Sequence, residues 1–210
     1  MKFLSFAIFF FALAFCGIGD KLKGLSSGGN SNSASNTGTA PGKPSDVAVE
    51  KPTLSGPAQE MQDNSTETKW EEQGISWKLP AGWPKMTANK DTFNYGAPGK
   101  GFLIASISVM PDSFPADVSI NATYDSALEQ LKQGNYERVR WLEIDGVKGV
   151  EWSEALKEKD GIRRLQWIAF RRYQGQNQQL NVMVSTTGTN FDKQKDTFTA
   201  IMYSMKIPKG

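Results

Sequence analysis

The side chains able to do chemistry in this chain are few and of narrow kind. In 210 residues there is one cysteine, Cys16, and no histidine. Histidine is the commonest general acid–base and metal ligand, so Ser-His-Asp triads, Cys-His dyads, HExxH sites and two-His-one-carboxylate triads are excluded. With no cysteine beyond Cys16, a disulfide scaffold and Cys-ligated zinc or iron–sulfur sites are excluded as well. Catalysis would have to run on carboxylates, Lys, Tyr, Ser or Arg. Two close acid pairs, Glu151 with Glu154 and Glu143 with Asp145, are of the kind a glycosidase uses, but acids at this spacing are commonplace on strands. Arg163, Arg164, Arg171 and Arg172 bracket one segment, with Arg138 and Arg140 on a neighbouring one. Such a cluster can grip a carboxylate or phosphate bidentately; the favoured alternative is cross-strand pairing with Glu151, Glu154 and Glu158. Trp83, with Trp77, Phe93 and Tyr95, could line a surface groove for a partner, against the commoner fate of burial under a helix. Gly96 to Gly101 resembles a phosphate loop only loosely; it lacks the GxxxxGK(S/T) spacing and reads as a β-turn. No metal or cofactor is expected.

Cys16 stands at the end of an apolar run, Phe3 to Phe15, that follows Lys2. About 13 apolar residues match the core of a secretory signal and fall short of the roughly 20 that a membrane-spanning helix needs. Leu13-Ala14-Phe15-Cys16 resembles a bacterial lipobox, Leu-(Ala/Ser)-(Gly/Ala)-Cys. Leu13 and Ala14 match it, and Phe15 departs from it where a small residue is usual. The expectation is a lipoprotein signal over residues 1–16, with the lipid on Cys16 and the mature chain attached to a membrane. The alternative is an ordinary secretory signal cut after Ala14. In a bacterial lipoprotein the sequons at Asn64 and Asn121 are chance matches.

The elements that must position these groups follow from the pattern of the rest. Ser26 to Ser45 is almost wholly Ser, Gly, Asn, Thr, Ala and Pro, and the polar character runs on to Thr68. Such a stretch cannot bury enough apolar surface to offset its ordering entropy, so residues 17–68 are expected to be a tether. Roughly 50 residues give it a mean reach of about 40 Å. Residues 69–210 are expected to fold. Strands are predicted at Gly74–Pro80, Thr92–Tyr95, Phe102–Met110, Glu137–Ile144, Lys148–Leu156, Arg163–Tyr173 and Gln178–Thr187 from alternating apolar residues and turn signals. Asp145-Gly146 and Asp160-Gly161 mark hairpins. Apolar residues at helical spacing predict helices over Ser119–Gln133 and Asn190–Met205. The fold class is α+β, with one antiparallel sheet and apolar faces covered by helices.

The ordering resembles the PsbP-like and DcrB-like domains. The residues that carry the likeness are Gly74–Trp83 (GISWKLPAGW), the strand Phe102–Val109, the hairpin Ile144–Trp152 (IDGVKGVEW), and a last helix with Phe191, Phe198 and Ile201. It spans roughly Trp70 to Pro208, and its motifs are structural. The resemblance implies a central antiparallel sheet of about six to seven strands with helices on both faces. It also implies a secreted, lumenal or lipid-anchored protein, mostly non-enzymatic, that acts by assembly or binding. No functional residue of the family carries over, and the histidines of its photosystem-associated members are missing here.

With 24 basic against 22 acidic residues and a formal charge of +2, nucleic acid is not the expected partner. The expectation is a non-enzymatic cell-envelope lipoprotein that binds a protein partner. The alternatives are a small-ligand or glycan hydrolase using carboxylates, and an adhesin-like lipoprotein on the outer surface.

Overall fold

Residues 47–208 are described in the structure, a computed structural model of the chain. The signal and Cys16 lie outside the described residues. The described chain runs α1 (Gly56–Asp63), β1 (Thr66–Trp70), β2 (Ile75–Leu79), β3 (Lys85–Ala88), β4 (Thr92–Ala97), β5 (Gly101–Met110), α2 (Ala116–Lys132) and β6 (Tyr136–Ile144). It continues through β7 (Val147–Glu154), β8 (Ile162–Tyr173), β9 (Gln176–Thr187), the short α3 (Gly188–Phe191) and α4 (Lys195–Tyr203). This is an α+β domain. Seven strands form one antiparallel sheet in the order β3-β4-β5-β9-β8-β7-β6, and β1 and β2 form a separate two-stranded ribbon.

Part of the expected tether is structured. Residues 56–63 are helical because Ser55 accepts a hydrogen bond from the Ala58 N–H and Pro57 is tolerated in the first turn, where its missing N–H is no loss. Only Ala58 of this helix is buried, so no apolar stripe announces it. α1 is held on α4 instead by polar contacts: the Ser55 hydroxyl donates to Asp196 (2.6 Å), and Gln62 Nε2 donates to the Ala200 carbonyl (3.1 Å). Thr66–Thr68, placed in the tether for their polar character, open β1, which pairs with β2. The folded part therefore reaches back at least to Glu50, whose N–H and carbonyl bridge Trp141 O and Glu143 N on the edge of β6.

Two turns follow from local chemistry. Asp145-Gly146 and Gln174-Gly175 have positive φ at both residues (49° and 85°; 49° and 78°), as a two-residue type I′ hairpin requires. Asp160-Gly161 is not such a turn; β7 stops at Glu154 and a loop carries the chain to Ile162.

Period-two alternation sorts the large sheet into two faces. On the inner face Leu103, Ala105 and Ile107 of β5 lie beside Val184, Val182 and Leu180 of β9, which lie beside Leu165, Trp167 and Ala169 of β8. The β1–β2 ribbon and α4 close over this face; Trp77 and Trp70 stack on Phe93 with centroids 4.9 and 5.8 Å apart. Phe198, Ile201 and Met202 of α4 complete the core. On the outer face α2 crosses β6, β7 and β8. Its Tyr124 stacks on Trp141 at 4.9 Å, over Val150 and Trp152. The expected strand count holds for the large sheet, with a change of membership: β2 belongs to the ribbon, and the short β3 takes the edge.

Candidate functional site

The arginines bracketing β8 do not converge. Neighbouring strand residues point to opposite faces, so Arg163 and Arg171 turn inward while Arg164 and Arg172 turn outward. Arg163 and Arg171 are also eight residues apart, about 26 Å along a strand. Arg163, 3% exposed, is held by Glu137 and Asp192 (both 2.9 Å) and lies over the Phe191 ring. Arg164 pairs with Glu154 at 2.8 Å. Arg172 is exposed, 3.6 Å from Asp112. A single four-arginine grip on one anion is thus ruled out by the pleat. Trp83 is 6% exposed and packs in the inner core with Trp77 and Phe93. Burial, the commoner fate, is thus what Trp83 meets rather than a surface groove: it shares the buried cluster with Trp77 and Phe93, whose rings stack at 4.9 Å, and burying such large rings removes much apolar area from water.

Of the four carboxylates that sequence spacing offered for catalysis, Glu151, Glu154 and Asp145 are already committed, and Glu143 lies at the surface 3.9 Å from Lys51. Glu151 is fully buried. Its Oε1 accepts from Arg140 Nε (2.9 Å) and forms an ion pair with Arg138 Nη2 (3.0 Å), and its Oε2 accepts from the Tyr203 hydroxyl (2.7 Å). Arg140 extends the network by donating from Nη2 to Tyr203 Oη (2.8 Å) and from Nη1 to Glu50 (2.6 Å). Burial by itself would lower the Arg140 pKa, but Glu151 beside it lifts it above the usual arginine range. Burial, then the Glu151 charge, pushes the Tyr203 hydroxyl well above its ordinary value. Both groups therefore keep their protons at neutral pH, and Glu151 has no lone pair directed at a cleft. Glu154 is taken by Arg164, and Asp145 by Lys206 (3.2 Å) and the Ile207 N–H (2.8 Å). What this arrangement does is clamp: it ties the β6–β7 hairpin to α4 and to the segment around Glu50.

One further place combines a cavity with charge, and nothing in the spacing of the sequence pointed to it. β7 begins at Val147 while β8 runs on to Tyr173, leaving a step at the end of the sheet. A cavity of about 600 Å³ occupies this step, between the start of α2, the Asp145–Lys148 turn and the tail at Ile207–Pro208. Trp141, Phe170 and Ile120 give it apolar walls; Lys148, Arg171 and Arg172 give it positive charge. Elsewhere on the outer face, β4, β5 and β9 carry no helix among the described residues, and Phe102 and Met86 stand partly in solvent there.

No protein-family model matches the chain, and no curated protein matches it. Among solved structures it is similar to a crystal structure from Bacteroides thetaiotaomicron (TM-score 0.43, 14% identity, covering 71% of this chain and 50% of that one). The chain thus spans half the length of that neighbour. It is also similar to the solution structure of cyanobacterial PsbP (CyanoP) from Synechocystis sp. PCC 6803 (0.44, 14%, 69% and 94%). A third is the crystal structure of LpqN, involved in cell envelope biogenesis of Mycobacterium tuberculosis (0.44, 16%, 72% and 96%).

Proposed function

We propose that the chain is a non-enzymatic cell-envelope lipoprotein whose folded domain, held at a membrane through Cys16, acts as a binding or accessory module for an envelope partner. The observation that carries this is the layout. A short apolar run ends at the sole cysteine, a polar Ser/Gly/Asn-rich stretch follows, and a domain folded from about residue 47 comes after it. A polar leader of this length has a purpose when one end is fixed: it sets how far the domain stands from the membrane. α1, β1 and the bridge at Glu50 belong to the fold, so they shorten the expected tether from its C-terminal side. The commitment of Glu151, Glu154 and Asp145 to ion pairs supports binding over carboxylate catalysis.

Metabolic labelling with an alkyne fatty acid tests the anchor. The wild-type chain takes up label and Cys16→Ala does not; equal label in both overturns the anchor. Crosslinking in native envelopes with mass-spectrometric identification then finds the partner. Protease shaving of intact cells separates an inward-facing domain, which is protected, from an adhesin-like one, which is cut.

A further inference from the structure

Arg171 is the one buried guanidinium whose charge meets no carboxylate among the described residues. Arg163 has two carboxylates, and Arg140 has Glu151 and Glu50. Arg171 is 9% exposed. Its Nε donates to Gln178 Oε1 (3.0 Å), and its Nη2 donates to the Gln73 carbonyl (3.2 Å) and Gln73 Oε1 (2.8 Å); all three are neutral acceptors. Its Cζ lies 4.2 Å from the centre of the Tyr173 ring. Its Nη1 is buried with no partner. A buried cation is normally paired, because desolvation costs several kcal/mol that neutral acceptors only partly return.

Arg171 also lines the cavity at the end of the sheet, and the cavity's other features favour the same kind of guest. Lys148 lies over the Trp141 ring at 4.0 Å and Arg172 stands at the rim. Against these three cations stand Asp117 and Asp145, and Asp145 is already bound to Lys206 and the Ile207 N–H. The cavity also touches the first turn of α2, a helix of 17 residues whose N-cap is Pro115 and which has no side-chain cap. The Ala116 N–H is taken by the Phe114 carbonyl, but the helix dipole at this end favours an anion. Trp141, Phe170 and Ile120 offer apolar contact beside this charge.

We propose that this cavity binds an amphiphilic anion, a carboxylate or phosphate monoester whose headgroup pairs with Arg171 and whose apolar body lies along Trp141, Phe170 and Ile120. Because Nη1 is closed to water, the rim must part for the headgroup to reach it. Pro208 forms part of that rim: it packs with Gly74 beside Tyr173, whose ring faces Arg171. The burial that leaves Arg171 without a counter-charge also lowers its pKa to about 10, a strain that a bound anion removes. The proposal does not depend on the lipid anchor.

Calorimetric titration of the full chain with hexyl phosphate and with octanoate, beside inorganic phosphate and hexanol, tests it. At least one amphiphilic anion binds ten-fold or more tightly than inorganic phosphate and hexanol; the tighter of the two names the headgroup. Arg171→Met weakens that binding at least ten-fold, Lys148→Met about three-fold, and Arg164→Met, at the far end of β8, leaves it unchanged. Should Arg171→Met fail to fold, Trp141→Phe serves instead, because the anion-induced change in tryptophan fluorescence then disappears. Equal binding of hexanol or of inorganic phosphate, or undiminished binding by folded Arg171→Met, overturns the proposal. So does a ten-fold gain in affinity on removing Lys209 and Gly210, since the chain's own terminus would then be the occupant.

Discussion

Replacing Glu151 with glutamine changes one atom in a side chain that solvent does not reach, and the consequences for the fold are large. Glu151 accepts one N–H of Arg140 and the Tyr203 O–H and pairs in charge with Arg138, linking three elements, β6, β7 and α4. An amide keeps one acceptor and turns the other into a donor. Arg138 and Arg140, or the Tyr203 hydroxyl, then face an N–H, and Arg140 keeps only Glu50 as a counter-charge. Breaking a buried ion pair from one side destabilises by about 3–5 kcal/mol. In a domain of this size each kcal/mol moves the melting temperature by about 2–4 °C, so a fall of about 6–20 °C is expected. Glu50→Gln makes the contrast: that carboxylate is half exposed, and its loss is expected to cost under about 1 kcal/mol. The assay is thermal unfolding by circular dichroism at pH 7, with urea denaturation to convert the shift into free energy. A double-mutant cycle with Tyr203→Phe is expected to be non-additive by more than about 0.5 kcal/mol. A melt of Glu151→Gln within 2 °C of wild type, or additivity with Tyr203→Phe, would refute the assignment of this network as the clamp of the fold.

Tyr203 also predicts a pH dependence. Its folded pKa lies above the ordinary value, so the stability it contributes is complete below pH 10 and is lost as the pH rises toward the folded pKa, by up to about 1.4 kcal/mol per unit. The melting temperature of wild type therefore falls toward that of Tyr203→Phe above pH 10, and parallel curves there would be contrary evidence. Gly149→Ala places a Cβ 2.5 Å from the Ile168 carbonyl oxygen and 2.6 Å from the Trp167 ring; overpacking against backbone is expected to destabilise by about 1–3 kcal/mol or more, read by denaturation. Ser55→Ala removes the α1 cap and the hydroxyl bonded to Asp196, a loss of about 1 kcal/mol. Hydrogen exchange is expected to speed up in α1 and to stay slow in β8 and β9.

The strands whose two faces differ were legible in the sequence, because period-two alternation survives wherever one face is buried. β5, β8 and β9 are of this kind, and the Asp145-Gly146 turn carries its own signal. What the sequence hid has a common cause. α1 buries a single alanine and is fixed by polar contacts with α4, so it has no apolar period to read. β1 is polar because it edges a ribbon, and β3 is four mostly exposed residues. Asp160-Gly161 shows the reverse error, a turn dipeptide that sits in a longer loop. For the candidate site the limit is the pleat. Four arginines close in sequence were legible as a cluster, but adjacent residues on a strand face opposite ways, and Arg171 is distinguished only by who fails to meet it. Trp83 was ambiguous for a similar reason: an aromatic in a Gly-Pro turn is written alike whether it packs inward or out.

The bridge at Glu50 sets how the domain responds to mechanical load. The described chain enters the sheet there through two backbone hydrogen bonds to β6 and one half-exposed ion pair to Arg140. A pull delivered through residue 47 reaches this junction before any strand of the sheet. Its bonds are each worth about 1 kcal/mol, so the bridge yields first and peels away. Residues 47–55 then straighten toward an extended length of about 30 Å, and the load passes to α1 on α4 while the seven strands keep their register. The segment works as a mechanical fuse: it lengthens under tension and re-forms when tension drops, and because Glu50 bonds the carbonyl of Trp141, each release acts on a residue that walls the cavity.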